Sequence, residues 1–226
     1  RLRIGMLNEI PGGRITMHPD CRDAVNYAAR LLESAGHIVE ESHPAALFEA
    51  DDTGHALKLR CAEINARLDS LAAAAGRTPA VDGFEPATWA MAERGKSLAA
   101  PDVFKAIGFL EARSRRVASW WAEGHDLLLT PTMAAPPPRL GILVGTHEKP
   151  LAWMADVLHF IIFTVPVNHA GQAASSLPLS WNREGLPIGI QLVAAYGRED
   201  LLIAVAAQLE QAAPWSQRRP PVSAGA

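Results

Sequence analysis

The sequence holds 226 residues, 49% hydrophobic and 20% charged, which describes an ordinary globular chain long enough to bury a sizeable core. A formal charge of −3 and a pI near 6.3 give no electrostatic reason to bind nucleic acid or an anionic membrane, so small neutral or mixed partners are favoured. Cys21 and Cys61, the only two cysteines, lack a second sulfur at a metal-binding spacing; both are expected as small core residues in a reducing, cytoplasmic compartment.

No apolar run reaches the roughly 18 residues a membrane span needs, and the longest, around Phe160–Val167, is interrupted at Pro166 and Asn168. The chain enters a strand pattern at once, with no signal-peptide pattern and no initiating methionine, and the expectation is that something upstream has been removed. A single domain is expected.

Leu2–Leu7 is a short apolar run closed by Asn8, Pro11, Gly12 and Gly13, and reads as a strand. Asp20 is placed to cap a helix carrying Ala24, Val25, Ala28, Leu31 and Leu32 at helical spacing, which Gly36 ends. His37–Glu41 gives a second strand, and strand, helix, strand in this order favours a right-handed crossover between parallel neighbours. Asp51 to Ala75 reads as a long helix with Leu57, Cys61, Ile64, Leu68 and Leu71 on one face. After a looser stretch, Thr88–Gly95 reads as a short helix, and a longer one runs from Pro101 to Gly124. Together these make an all-helical excursion at about 51–123. Arg113, Arg115 and Arg116 on it read as a solvated basic face.

Asp126–Thr130 is an apolar strand leading through Pro131-Thr132 into a loop that Pro136, Pro137 and Pro138 keep extended. Ligands of open α/β sheets gather at the carboxyl ends of strands, so that loop is a candidate pocket wall. Leu151–Phe163 reads as a buried helix in which Trp153, Met154 and Phe160 are either core or pocket lining. Ser175–Leu179 and Ile188–Val193 read as two buried strands joined by a loop at 181–187, followed by an amphipathic helix over Arg198–Ala213 and a coil from Pro214.

The residues themselves supply no catalytic constellation. The eight histidines fall into no metal spacing, and Pro150 forbids a zinc helix after His147-Glu148. A Gly-x-Ser-x-Gly elbow is lacking, and Gly12-Gly13 is not followed by the lysine of a phosphate loop. Ser175-Ser176 is the one adjacent serine pair, but a nucleophilic serine needs a base within reach and the sequence nominates none, so the pair is read as structural.

Several segments taken together resemble the carboxyl-terminal half of the amidase signature family. They are Asn168-x-x-Gly171-Gln172-x-Ala174-x-Ser176-Leu177-Pro178, then Gly185-Leu186-Pro187-Ile188-Gly189-Ile190-Gln191-Leu192-Val193, then Glu199-x-x-Leu202, with Asp126–Thr132 and Arg3-Ile4-Gly5 before them. Ala173 departs from the proline usual in the family. The resemblance implies an α/β fold, a mixed sheet flanked by helices, with residues 1–226 forming a single-domain carboxyl-terminal portion into which the helices at 51–123 are inserted. It also implies cofactor-free hydrolysis of small-molecule amides by a Ser-Ser-Lys triad, in which a neutral lysine draws a proton through one serine so that a second attacks the carbonyl. That triad belongs to a glycine- and serine-rich segment and a lysine region of the amino-terminal half. Neither occurs here: Lys58, Lys96, Lys105 and Lys149 do not match the lysine motif. The chain is therefore expected to be inactive alone, with no catalytic or metal-binding residue of its own. Its expected partners are the missing amino-terminal half or a second copy. Thr132, Met133, Trp153 and Asn168 are the candidate substrate-binding residues, each with a structural role as the alternative. Competing readings are a non-catalytic ligand- or partner-binding module on the same fold half, and a hydrolase pairing a histidine with Ser175 or Ser176.

Overall fold

The computed structural model describes residues 1–13, 15–49, 52–220 and 222. In chain order its elements are β1 (Arg3–Met6), α1 (Pro19–Ser34), β2 (Ile38–Glu41), α2 (Asp52–Ala75), α3 (Pro86–Lys96), α4 (Ala100–Ala122), β3 (Leu127–Pro131), α5 (Met154–Ile161), α6 (Thr164–His169), β4 (Ala173–Trp181), β5 (Pro187–Ala194) and α7 (Glu199–Ala212). The expected helix start at Asp51, Arg14 of the glycine-rich turn, and Pro221 and Gly225 of the expected coil lie outside the described residues. Two compact units emerge: Arg1–Pro44, Ala118–Pro137 and His159–Ala226 form one, and Ala45–Val117 with Pro138–Leu158 the other.

The first unit is built on a five-stranded mixed sheet of order β2-β1-β3-β5-β4. β1 pairs in parallel with β2 and β3, so α1 makes the expected crossover. β5 then runs antiparallel to both β3 and β4. Every residue of β3 is buried, as a strand covered on both faces must be, and this accounts for its unbroken apolar sequence. α1 and α7 pack on the strands and on each other, burying Cys21, Ala24, Val25, Ala28 and Leu32 from one and Leu202, Val205 and Leu209 from the other.

α1 begins two residues earlier than Asp20 would have set it. Pro19, whose fixed φ suits the first helical position, makes His18 the cap, and its Nδ1 accepts from the Asp20 amide at 3.2 Å. Asp20 instead lies in the first turn, complementing the helix dipole. Gly36, at φ 91°, ends the helix in the left-handed conformation that a side chain would resist. β4 carries a bulge: Leu177 pairs with Ile190 and Ser180 with Ile188, so Pro178 and Leu179 together face the single Gly189. Proline lacks the N–H a regular ladder position would use, and the bulge is where a strand can hold it.

In the second unit α2 packs on α3. Ile64, Leu68 and Ala92 form the buried cluster, with Phe84, Trp89 and Met91 against it. At Gly95 the helices approach so closely that a Cβ would come within 2.2 Å of the Cys61 carbonyl oxygen. The basic cluster of α4 departs from expectation at Arg113, while Arg115 and Arg116 are exposed. Arg113 is buried, its Nε and Nη2 donating to the carbonyls of Ala46 and Leu47 at 2.7 and 2.9 Å, and Arg116 pairs with Glu49. Only a guanidinium fork reaches two adjacent carbonyls at the end of the Ala45–Phe48 turn, and sequence spacing does not reveal that geometry. The buried helix expected over Leu151–Phe163 is the shorter α5, no residue of which is fully buried, and a second short helix, α6, follows it.

Candidate functional site

At the carboxyl end of β3 the ladder continues one residue beyond the strand: the Thr132 amide donates to the Gly189 carbonyl at 3.1 Å. Side chains alternate along a strand and paired residues share a face, so Thr130, its partner Gln191 and the next partner along, Ser176, lie on one side of the sheet. Thr132 projects from that side too, and its hydroxyl meets the Ser176 hydroxyl at 2.7 Å. Gly189 makes the meeting possible, since a Cβ there would lie 2.8 Å from Thr132 Oγ1 and 2.9 Å from Ser176 Oγ. Ser176 is exposed and Thr132 half-buried.

Behind this pair lies a buried polar brace. Gln191 Nε2 donates to Thr130 Oγ1 at 3.1 Å and to the Phe163 carbonyl at 3.2 Å, while the Thr130 hydroxyl donates to the Pro131 carbonyl at 2.8 Å. Each of these groups would be costly to bury unpaired, by about 1–3 kcal/mol, so the brace fixes the loop before α6 to the sheet row that carries Ser176.

Of the four expected substrate-binding residues, Thr132 stands in the hydroxyl pair, Met133 beside it is half-buried, and Asn168 is exposed on α6, its carbonyl accepting from the Gly171 amide. Trp153 belongs to the second unit, half-buried, with its indole N–H donating to the Pro150 carbonyl at 3.2 Å. From the sequence Ser176 is expected only as part of the supporting sheet. Its place beside Thr132 depends on the β4–β5 register, for which the glycine at 189 is the available signal.

The histidines with well-defined partners serve the fold. His125 is buried with its ring stacked 3.9 Å from Trp120; one nitrogen faces the Trp120 carbonyl at 3.2 Å and the other Glu40 at 3.1 Å. His37 Nδ1 accepts from the Leu2 amide, and its Nε2 meets Gln208. Neither hydroxyl of Ser175-Ser176 meets a histidine or lysine: Ser176 meets Thr132, and Ser175 Oγ is buried without a hydrogen-bond partner. Both cysteines are unpaired and buried. Burial, with a smaller push from Asp20, raises the Cys21 thiol to about 11, which keeps it protonated and poorly nucleophilic. Burial also raises Cys61, with Arg94 drawing it partly back. Among the described residues no group of three or more His, Cys, Asp or Glu side chains could hold a metal ion, and no helix is long and apolar enough to cross a membrane.

A family model described as Amidase matches residues 1–203. Two curated relatives are each named 6-aminohexanoate-cyclic-dimer hydrolase. That of Pseudomonas sp. (strain NK87) is 37% identical over 224 residues, 97% of this chain and 45% of the relative. That of Paenarthrobacter ureafaciens is 36% identical with the same coverage. A solved structure of 6-aminohexanoate cyclic dimer hydrolase complexed with substrate superposes with a TM-score of 0.93 at 35% identity, covering 97% of this chain and 47% of that one. The chain thus spans about half the length of the relatives it matches.

Proposed function

This chain belongs to the amidase family, and we propose that it is the carboxyl-terminal portion of an enzyme that hydrolyses carbon–nitrogen amide bonds. The observation that carries this reading is the match along nearly its whole length, in sequence and in fold, to a substrate-binding hydrolase of about twice its size. In the parent enzyme a Ser-Ser-Lys triad in the other portion supplies the nucleophile. The unactivated state of Ser175 and Ser176 supports placing it there, because a serine without a base in reach is a weak nucleophile.

On this reading residues 1–226 act as one portion with the helical segment 51–123 inserted, and its partner is the amino-terminal portion that completes the enzyme. Thr132, Met133 and Asn168, all in the first unit, contribute to walls that orient a small amide for attack, and positioning of this kind supplies much of the rate enhancement of acyl transfer; Trp153 is the substrate-binding residue proposed for the second unit. No cofactor takes part. The unpaired, buried thiols support a reducing, cytoplasmic setting. Because of the relatives' activity, the cyclic dimer of 6-aminohexanoate is the first substrate to try.

The test measures hydrolysis of that dimer and of a simple aryl amide by the chain alone and by the chain joined to its upstream portion. Turnover is expected only in the joined form. Hydrolysis by the isolated chain that survives replacement of Ser175 and Ser176 would overturn the assignment of the nucleophile to the other portion. A joined form that binds the dimer without cleaving any amide would establish a binding module instead.

A further inference from the structure

The Thr132–Ser176 pair has a hydrogen-bonding capacity that the fold leaves unused. Two hydroxyls in contact hold two hydrogens, and only one can lie between the oxygens, 2.7 Å apart. Neither side chain has another hydrogen-bond partner among the described residues, so one O–H and free lone pairs remain, and Ser176 is exposed. Placing both groups in a buried sheet row would be wasteful. Placing them at the open carboxyl end of β3, with glycine at 189 clearing the space between them, prepares a donor and an acceptor side by side. The Gln191–Thr130–Phe163 brace holds the row behind them rigid.

We propose that the Thr132 and Ser176 hydroxyls together form a subsite for an uncleaved amide group, in a substrate that carries a second amide besides the one hydrolysed. This rests on the amidase reading above and adds a specificity-determining element to it. A neutral amide offers a carbonyl to accept the free O–H and an N–H to donate to the neighbouring lone pair. A carboxylate offers acceptors alone and leaves half of the pair unmatched. The amide being cleaved is a poorer candidate for this place, because its carbonyl must lie against the nucleophile and the donors that stabilise its developing charge. The cyclic dimer of 6-aminohexanoate, with two amides in one ring, is a substrate of the class the pair would select. A mono-amide would not engage it.

The experiment uses the full-length parent and compares the cyclic dimer with an aryl mono-amide for wild type, Thr132→Val, Ser176→Ala, the double variant and the hydroxyl-preserving Thr132→Ser. Each single variant is expected to raise KM for the dimer by about tenfold, the worth of one hydrogen bond to a neutral group near the upper end of its range. For every variant lacking a hydroxyl the effect on the mono-amide is expected to be several-fold smaller than on the dimer, since the mono-amide has no second amide to engage the pair. The double variant should be little worse than either single one, because the hydroxyls act as a unit, and Thr132→Ser should restore the wild-type KM. An unchanged KM for the dimer overturns the subsite, as does a loss of equal size on both substrates, which would mark a structural role. Should Ser176→Ala fail to fold, Thr132→Val, which keeps the shape of the side chain, decides alone by the same comparison. A wild-type parent inactive on both amides would refute the amidase reading itself, a result distinct from variants that behave like an active wild type.

Discussion

Two helical glycines of the second unit should respond to the same substitution with opposite signs. A methyl group added at Gly95 would lie 2.2 Å from the Cys61 carbonyl oxygen, 2.8 Å from its carbonyl carbon and 2.9 Å from Asn65 Cβ. Since real Cβ contacts essentially never fall below 3.0 Å, α3 must retreat from α2 by at least about 0.8 Å, and the obstacle is backbone that cannot rotate away. Forcing such a step into a packed crossing costs about 1–3 kcal/mol, against which alanine returns up to about 1 kcal/mol of helix propensity, less in the last turn where Gly95 sits. Gly95→Ala should therefore destabilise by roughly 1–2 kcal/mol. At Gly108, inside α4, a Cβ meets nothing within 4 Å, so Gly108→Ala should stabilise by about 0.5–1 kcal/mol. Urea denaturation reads both: with slopes of about 2 kcal/mol/M, the first midpoint should fall by roughly 0.5–1 M and the second rise by a few tenths, with slopes unchanged. A Gly95→Ala midpoint at or above wild type would refute the packing argument, and a neutral Gly108→Ala would refute the propensity argument.

Two further outcomes follow from a half-buried histidine and a buried arginine. Burial lowers the pKa of His43 from its ordinary value of 6.5, so the folded chain takes up this proton less readily than the unfolded chain. Its share of stability is intact above about pH 6.5 and is lost as pH falls below it, and His43→Gln should flatten that part of the stability-versus-pH curve; parallel curves for the two proteins would contradict this. Arg113→Lys should fail to replace the fork that donates to Ala46 and Leu47, costing about 3 kcal/mol in denaturation experiments, since each bond from a charged donor is worth about 1.5–3 kcal/mol. A lysine variant as stable as wild type would show that a point charge suffices.

Elements with a strong period or a fully apolar run were legible from the residues. α1 shows its buried stripe in Ala24, Val25, Ala28 and Leu32, and the buried β3 shows itself in three consecutive leucines. Legibility failed where a single contact decides. His18 rather than Asp20 caps α1 because Pro19 fixes the start, and Arg113 is inside because two carbonyls happen to face it. Apolarity misled over Leu151–Phe163, since it does not tell a buried helix from one with no fully buried residue. At the candidate site, Thr132 could be named from its place after a strand. Ser176 could not, because its neighbour comes from another strand and depends on pairing register, which a local pattern does not encode.

The bulge opposite Gly189 works like a shift of reading frame in the pleat. Before it, even-numbered Ser176 shares its face with Gln191. After it, odd-numbered Trp181, paired with Pro187, falls on that same face, where Arg218 lies 4.1 Å over its ring. Removing one residue between Leu177 and Ser180 would restore simple alternation with Ser180 still opposite Ile188, whereas an insertion or deletion elsewhere in β4 would slip its pairing by one residue and turn the side chains beyond it to the opposite face. Residue count along this hairpin is thus as strict a determinant as residue identity, and single-residue insertions and deletions are the changes it should tolerate least.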